Sequence, residues 1–103
     1  LIEMGFEIIP GLRAVYRIEE GGMRKVMGED INVDLNKLSA FLKENYRIGE
    51  DEAKKLDMGE LLGFAMILDN LGIAVMGNYV VFVDAVKTNW NKVLEAFQGV
   101  MAQ

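Results

Sequence analysis

The side chains that most often carry chemistry are few in this sequence. Its 103 residues include no His and no Cys. That removes thiolate nucleophiles, disulfides, imidazole acid–base steps, and zinc, haem or iron–sulfur ligation through those residues. Carboxylates and guanidinium groups remain. The densest acidic run is Glu50-Asp51-Glu52, a composition that could suggest a metal site. Three consecutive helical residues point in three directions, however, so the run reads as a solvated face. Paired carboxylates for glycosidase-type chemistry need a cleft, which nothing in the sequence indicates. Asp69 and Asp84 fall at strand ends, where capping a turn is the ordinary role. Neither G-x-G-x-x-G nor G-x-x-x-x-G-K-[ST] occurs, so no glycine-rich phosphate loop is expected. The residues assign no catalytic group, metal ligand or cofactor-binding group, and the expectation is a protein without turnover, metal or cofactor.

The other charged candidate is a set of arginines. Arg13, Arg17 and Arg24 are expected on one face of an N-terminal hairpin, with Arg24 opposite Glu19. They would make a docking patch for a carboxylate or an acidic partner; the competing reading is a charged sheet edge that resists strand-to-strand aggregation. Eleven Lys and Arg against sixteen Asp and Glu leave a net charge of −5, which argues against nucleic acid as the main partner. The seven Met residues read as core filling, with an adaptable Met-lined contact surface as the alternative. Trp90 reads as a core anchor.

The elements that position these residues follow from periodicity. Leu1 to Ile9, stopped by Pro10-Gly11, reads as a frayed or truncated helix. Leu12 to Glu19 alternates as a half-exposed strand, Gly21-Gly22 turns the chain, and Met23 to Gly28 returns. Asp34 can cap the next helix. Its apolar stripe, Leu35, Leu38, Leu42, Tyr46, Gly49, Ala53 and Leu56, keeps phase through Gly49 and predicts one helix over about residues 33–57. Glu50 to Lys54 and Asp51 to Lys55 are i,i+4 pairs on its outer face.

The last 43 residues carry only five charges. Leu61 to Asp69, Gly72 to Met76 and Tyr79 to Ala85 read as strands without clean alternation, as in the centre of a sheet covered on both faces. Gly77-Asn78 fits a type II′ turn, and Asp69 to Gly72 makes the other turn. Thr88 or Asn89 caps a closing helix. From Glu60 to Asp84 the only internal charge is Asp69, yet Gly63, Asn70, Gly72, Gly77 and Asn78 cut the stretch into pieces too short to span a bilayer. Leu1-Ile2-Glu3-Met4-Gly5 has no basic region and no long apolar stretch, so a cytoplasmic location without membrane insertion is the expectation. The fold expected is a single α+β domain over 1–103: a three-layer α/β/α sandwich with a five-stranded antiparallel sheet and helices on both faces.

The two helices differ in apolar width. The closing helix has an apolar arc of about 120°, which a sheet alone can cover. The middle helix reaches about 160° once Phe41 and Ile48 are included, more than one contact surface needs, and Glu52 falls inside that arc. Leu38, Phe41, Leu42, Ile48 and Gly49 are therefore the interface candidates, with Leu61 to Asp69 pairing across a two-fold axis. Gly49 on the stripe would let two helix backbones approach.

Three stretches carry a family resemblance: Ile9-Pro10-Gly11-Leu12, the hairpin Val75-Met76-Gly77-Asn78-Tyr79-Val80-Val81-Phe82-Val83, and Asn89-Trp90-Asn91-Lys92-Val93-Leu94. With the element order, they resemble the Roadblock family of dynein light chains and bacterial GTPase regulators, and look most like a small, uncharacterised prokaryotic branch of it, a domain of unknown function. The chain departs from that family in its short first helix. The resemblance implies a homodimer made by the middle helix and the third strand, presenting a surface to a partner protein. The function expected is a non-enzymatic scaffold or regulator, of a small GTPase by family analogy. The alternatives are a small-ligand sensor with an apolar pocket between sheet and helix, and a carboxylate-dependent enzyme.

Overall fold

Alternation and a tight turn make the first hairpin. Leu12–Glu19 forms β1 and Gly22–Gly28 forms β2, paired antiparallel. Glu19 faces Gly22, so the turn is Glu20–Gly21, one residue earlier than expected, and Arg24 lies opposite Arg17 instead of Glu19. The strand is not half-exposed either: Ala14, Val15 and Tyr16 are all buried. Register shifts next to Leu12 and next to Tyr16 interrupt the simple alternation, as bulges do by re-aiming side chains. Leu12 and Val15 thereby join one core cluster, and Ala14 and Tyr16 the other.

The computed structural model describes residues 5–103. Within them, the expected N-terminal helix is reduced to one 3-10 turn, Phe6–Ile8; Leu1 to Met4 lie outside the described residues. Phe6 is fully buried, with ring centroids 5.3 Å from Tyr79 and 5.6 Å from Phe97.

Leu35–Leu56 forms α1, a single helix through Gly49 as its unbroken spacing predicts. The Asp34 side chain accepts a bond from the Lys37 backbone N–H at 3.1 Å, satisfying one of the free donors of the first turn. Asp57, at φ +53, ends the helix in the left-handed conformation. Gly63–Leu68 (β3), Leu71–Met76 (β4) and Tyr79–Asp84 (β5) follow as a meander, and Trp90–Met101 forms α2, capped by Asn89. In the turn between β4 and β5 only Gly77 has positive φ, +58, the sign pattern of a type II′ turn.

The sheet order is β2-β1-β5-β4-β3, antiparallel throughout. The first and last strands are thus brought together by the long β1–β5 pairing, and β3 is left at an edge. This corrects the expectation of three central strands: β4 and β5 bury four consecutive residues each, whereas no residue of β3 is buried. β5 feeds both cores. Val81 and Val83 pack with Phe6, Val93, Ala96, Phe97 and Val100, while Val80 and Phe82 pack with Tyr16, Leu42, Ile73 and Val75. Burying a side chain of that size stabilises the fold by about 1.5–3 kcal/mol. The Tyr16 hydroxyl accepts from the Ile31 N–H at 3.1 Å, fixing the segment that leads into α1.

Candidate functional site

Helix α1 positions the candidate surface, and its own wheel divides that surface in two. Taking Leu42 as the origin, Leu35, Tyr46 and Ser39 lie within about 60° on one side, while Asn45, Glu52, Phe41 and Ile48 lie roughly 60–120° around the other. The first group meets the sheet: Leu42 is 1 % exposed and Ser39 is buried. The second does not. Phe41 is 48 % exposed and Ile48 is 46 % exposed. Of the five interface candidates, Leu42 therefore belongs to the chain's own core, Leu38 is partly buried at its margin, and Phe41 and Ile48 face outward.

Gly49 has a nearer explanation than a second helix. A Cβ there would lie 2.7 Å from Leu61 Cδ2, so the missing side chain accommodates the segment that leads into β3. Tyr46 reinforces the same junction: its hydroxyl donates to the Leu61 carbonyl at 2.9 Å, and its ring meets Phe64 at 6.3 Å. Burial pushes the Tyr46 phenol above the usual tyrosine range, helped by the charges of Glu50 and Glu60. Helix α1 thus meets the segment leading into β3 at Tyr46 and Gly49, and its residues after Gly49 are exposed except for Ala53.

β3 itself, Gly-Phe-Ala-Met-Ile-Leu, carries no charge, no proline and no bulge. Its outer backbone groups have no neighbouring strand among the described residues. Ile67 is 58 % exposed, and Leu68 is also exposed. Next to β3, on the α2 side, a groove of about 250 Å³ is lined by Gly63, Ala65, Ala74, Trp90, Leu94 and Phe97 among others. Leu94 and Met101 are half-exposed, so the sheet does not cover the whole arc of α2, contrary to expectation. Trp90, expected as a buried anchor, is partly buried over Gly72. These exposed residues of α2 and β3 were missed by sequence reasoning. The available signal was the absence of charge from β3, which reads alike for a covered central strand and an uncovered edge.

The arginines are engaged within the chain. Arg13 pairs with Glu29 at 2.6 Å and Arg24 with Glu19 at 2.9 Å. Arg17 lies over the Tyr79 ring at 5.2 Å and donates to its hydroxyl at 3.1 Å. Lys25 and Asp30 add an ion pair at 2.8 Å, and that hydrogen bond holds the Lys25 ammonium above its ordinary pKa. On α1 the expected Glu50–Lys54 and Asp51–Lys55 pairs are replaced. Arg47 bonds Glu44 at 2.5 Å and Asp51 at 3.1 Å, and Lys55 bonds Glu52 at 3.2 Å. Hydrogen bonding to Arg47 lowers the Glu44 pKa and raises that of Arg47. Asp51 and Glu52 therefore address different neighbours, and no group of three or more acidic residues among the described residues is placed to hold a metal ion.

A second concavity, of about 410 Å³, lies between α1 and the β4–β5 turn, with Ile18, Leu42 and Val75 as apolar lining and Lys43, Arg47, Glu50 and Asn78 as polar lining. Among the described residues, no helix is long and apolar enough to cross a membrane. Compared with known proteins, the chain matches no family model and no curated protein sequence.

Proposed function

We propose that this chain is a non-enzymatic, self-associating interaction module of Roadblock type, acting in the cytoplasm as a scaffold or regulator of another protein. In this reading the sheet is the middle of a three-layer sandwich. Two copies join through β3 and the exposed flank of α1, and the pair presents its surface to a protein partner, a small GTPase by family analogy. One observation carries it: β3 is an uncharged, regular edge strand with Ile67 and Leu68 exposed, in a chain whose helix α1 also leaves Phe41 and Ile48 exposed. An edge of that kind templates pairing with another strand unless something covers it. A second copy covers it without any further component, because a two-fold contact uses the same patch twice.

Ala65→Lys with Ile67→Lys tests this reading, since both positions are exposed and need no core rearrangement. Sedimentation equilibrium should give a dimer for the wild type and a dissociation constant raised by about 100-fold or more for the variant. A wild-type monomer throughout the micromolar range would remove the proposal.

A second reading, a small-ligand sensor, rests on the 410 Å³ concavity beneath α1. Its size lies within the range of small-molecule sites, about 300–1,000 Å³. Thermal stabilisation by a small amphiphile, lost in Ile18→Trp, would favour it over the dimer.

A further inference from the structure

The concavity of about 410 Å³ between α1 and the β4–β5 turn is apolar at its floor and charged along one wall. Ile18, Leu42 and Val75 make the floor. The wall is the other flank of α1 from Phe41 and Ile48: with Leu42 as the origin, Glu50, Lys43 and Arg47 lie roughly 80–140° around, on the side of Tyr46. These three charges differ in how far the chain already uses them. Arg47 is held by Glu44 and Asp51. The side chains of Lys43 and Glu50 have neither ion pair nor hydrogen bond among the described residues, and Lys54, one turn beyond Glu50, does not pair with it. Glu50 is close enough to Tyr46 for its charge to help hold that phenol above the usual range. On the facing turn, Asn78 gives its carbonyl to the Ile18 N–H at 2.7 Å, while its side-chain amide bonds to nothing among the described residues.

We propose, resting on the small-ligand reading, that this concavity binds a short apolar peptide with free termini, its carboxylate at Lys43 and its ammonium at Glu50. The two side chains are seven residues apart on the helix, about 10 Å along its axis. An extended tripeptide spans at most about 10–11 Å, which matches that separation. An apolar middle side chain then rests on Ile18, Leu42 and Val75, and the Asn78 amide supplies a donor and an acceptor for a peptide bond. A ligand with a carboxylate alone meets the Glu50 charge unopposed, and one with an ammonium alone meets that of Lys43 in the same way. The peptide meets each with the opposite sign, so the charges set which ligand is accepted, and the floor supplies the apolar burial.

The test is isothermal titration calorimetry of the full chain with alanyl-leucyl-alanine, with the same peptide N-acetylated or C-amidated, and with octanoate as a probe carrying a carboxylate alone. The free peptide should bind. N-acetylation and Glu50→Gln should each weaken it by about fivefold, as should amidation and Lys43→Gln, since exposed charges act modestly. Glu50→Gln should add little to the loss already caused by acetylation, because the two remove the same contact. Ile18→Trp, whose ring fills the floor, should abolish binding, with circular dichroism to confirm the fold; the capped peptides need no variant at all. If octanoate binds in an Ile18-dependent way and the peptide does not, the cavity is a ligand site and the peptide is the wrong ligand. Peptide binding indifferent to capping and to both charge variants would show that Lys43 and Glu50 have no part in it. If neither probe binds, or binding survives Ile18→Trp, the peptide and the small-ligand reading beneath it fail together.

Discussion

The sheet has two edges, and they are built on opposite principles. β2 carries Arg24 and Lys25, is bulged against its neighbour, and is tied by ion pairs to Glu19 and Asp30. β3 has none of these: six uncharged residues in unbroken register, with exposed apolar side chains near its end. Charges and bulges are the ordinary means by which an edge is kept from pairing with another chain. The bare edge is the one that the proposed self-association would use. The pairs on β2 are exposed, so their contribution to stability is small.

The largest effect that sharpens this contrast compares neighbours on α1. Leu42→Ala removes a side chain of the closed core and should cost about 3 kcal/mol in urea unfolding. Phe41→Ala, one residue away, should change monomer stability by under about 1 kcal/mol while weakening association. Equal losses in the two unfolding curves would mean that the flank of α1 carrying Phe41 is not open. The comparison can next be broken from the other side. Arg24→Val with Lys25→Val gives β2 the character of β3, and light scattering should then show species larger than a dimer, growing with concentration; an unchanged dimer would mean that those charges do not guard the edge.

The smallest effect concerns the junction that holds α1 against β3. Tyr46→Phe loses the bond to the Leu61 carbonyl and should cost about 1 kcal/mol. It also carries a pH signature. The folded-state pKa of Tyr46 is raised, so its contribution is whole below about pH 10, the ordinary tyrosine value, and fades as pH rises through the folded value. The wild type should lose stability in that alkaline window, and Tyr46→Phe should lose less. Parallel pH curves for the two would contradict the burial of this phenol.

Much of the fold was legible because local rules agreed with one another. The spacing of α1, the Asp34 and Asn89 caps and the Gly77 turn each specify a boundary through short-range chemistry, and all appear where expected. Position within the sheet was not legible. β3 and β4 are alike in composition, and only the β1–β5 pairing, which joins residues far apart in sequence, sends one to the edge and the other inside. The candidate surface was half legible for the same reason. A wheel gives the width of an apolar arc but not which part of it the chain's own sheet will take, so Leu42 and Phe41 looked equivalent. Gly49 was placed on the right stripe, but its neighbour within the chain, Leu61, lies in a segment without periodicity and was not foreseen. The arginines were found, with Glu19 as the neighbour of Arg24, but Glu29 and Tyr79 as the partners of Arg13 and Arg17 were not.

The pairing of β1 with β5 also sets an order of events during synthesis. Sixty-two residues separate Arg17 from its partner Tyr79. At translation speeds of about 5–20 residues per second, the first hairpin waits roughly 3–12 s before the strand that completes the sheet exists. Over that interval β1 has a vacant side, which the finished molecule conceals. Arg13 and Arg17 lie on that strand, so the nascent hairpin has cations beside its open side until β5 closes it. The same arginines that join Glu29 and Tyr79 in the folded chain are in position to act as temporary guards while it is being made.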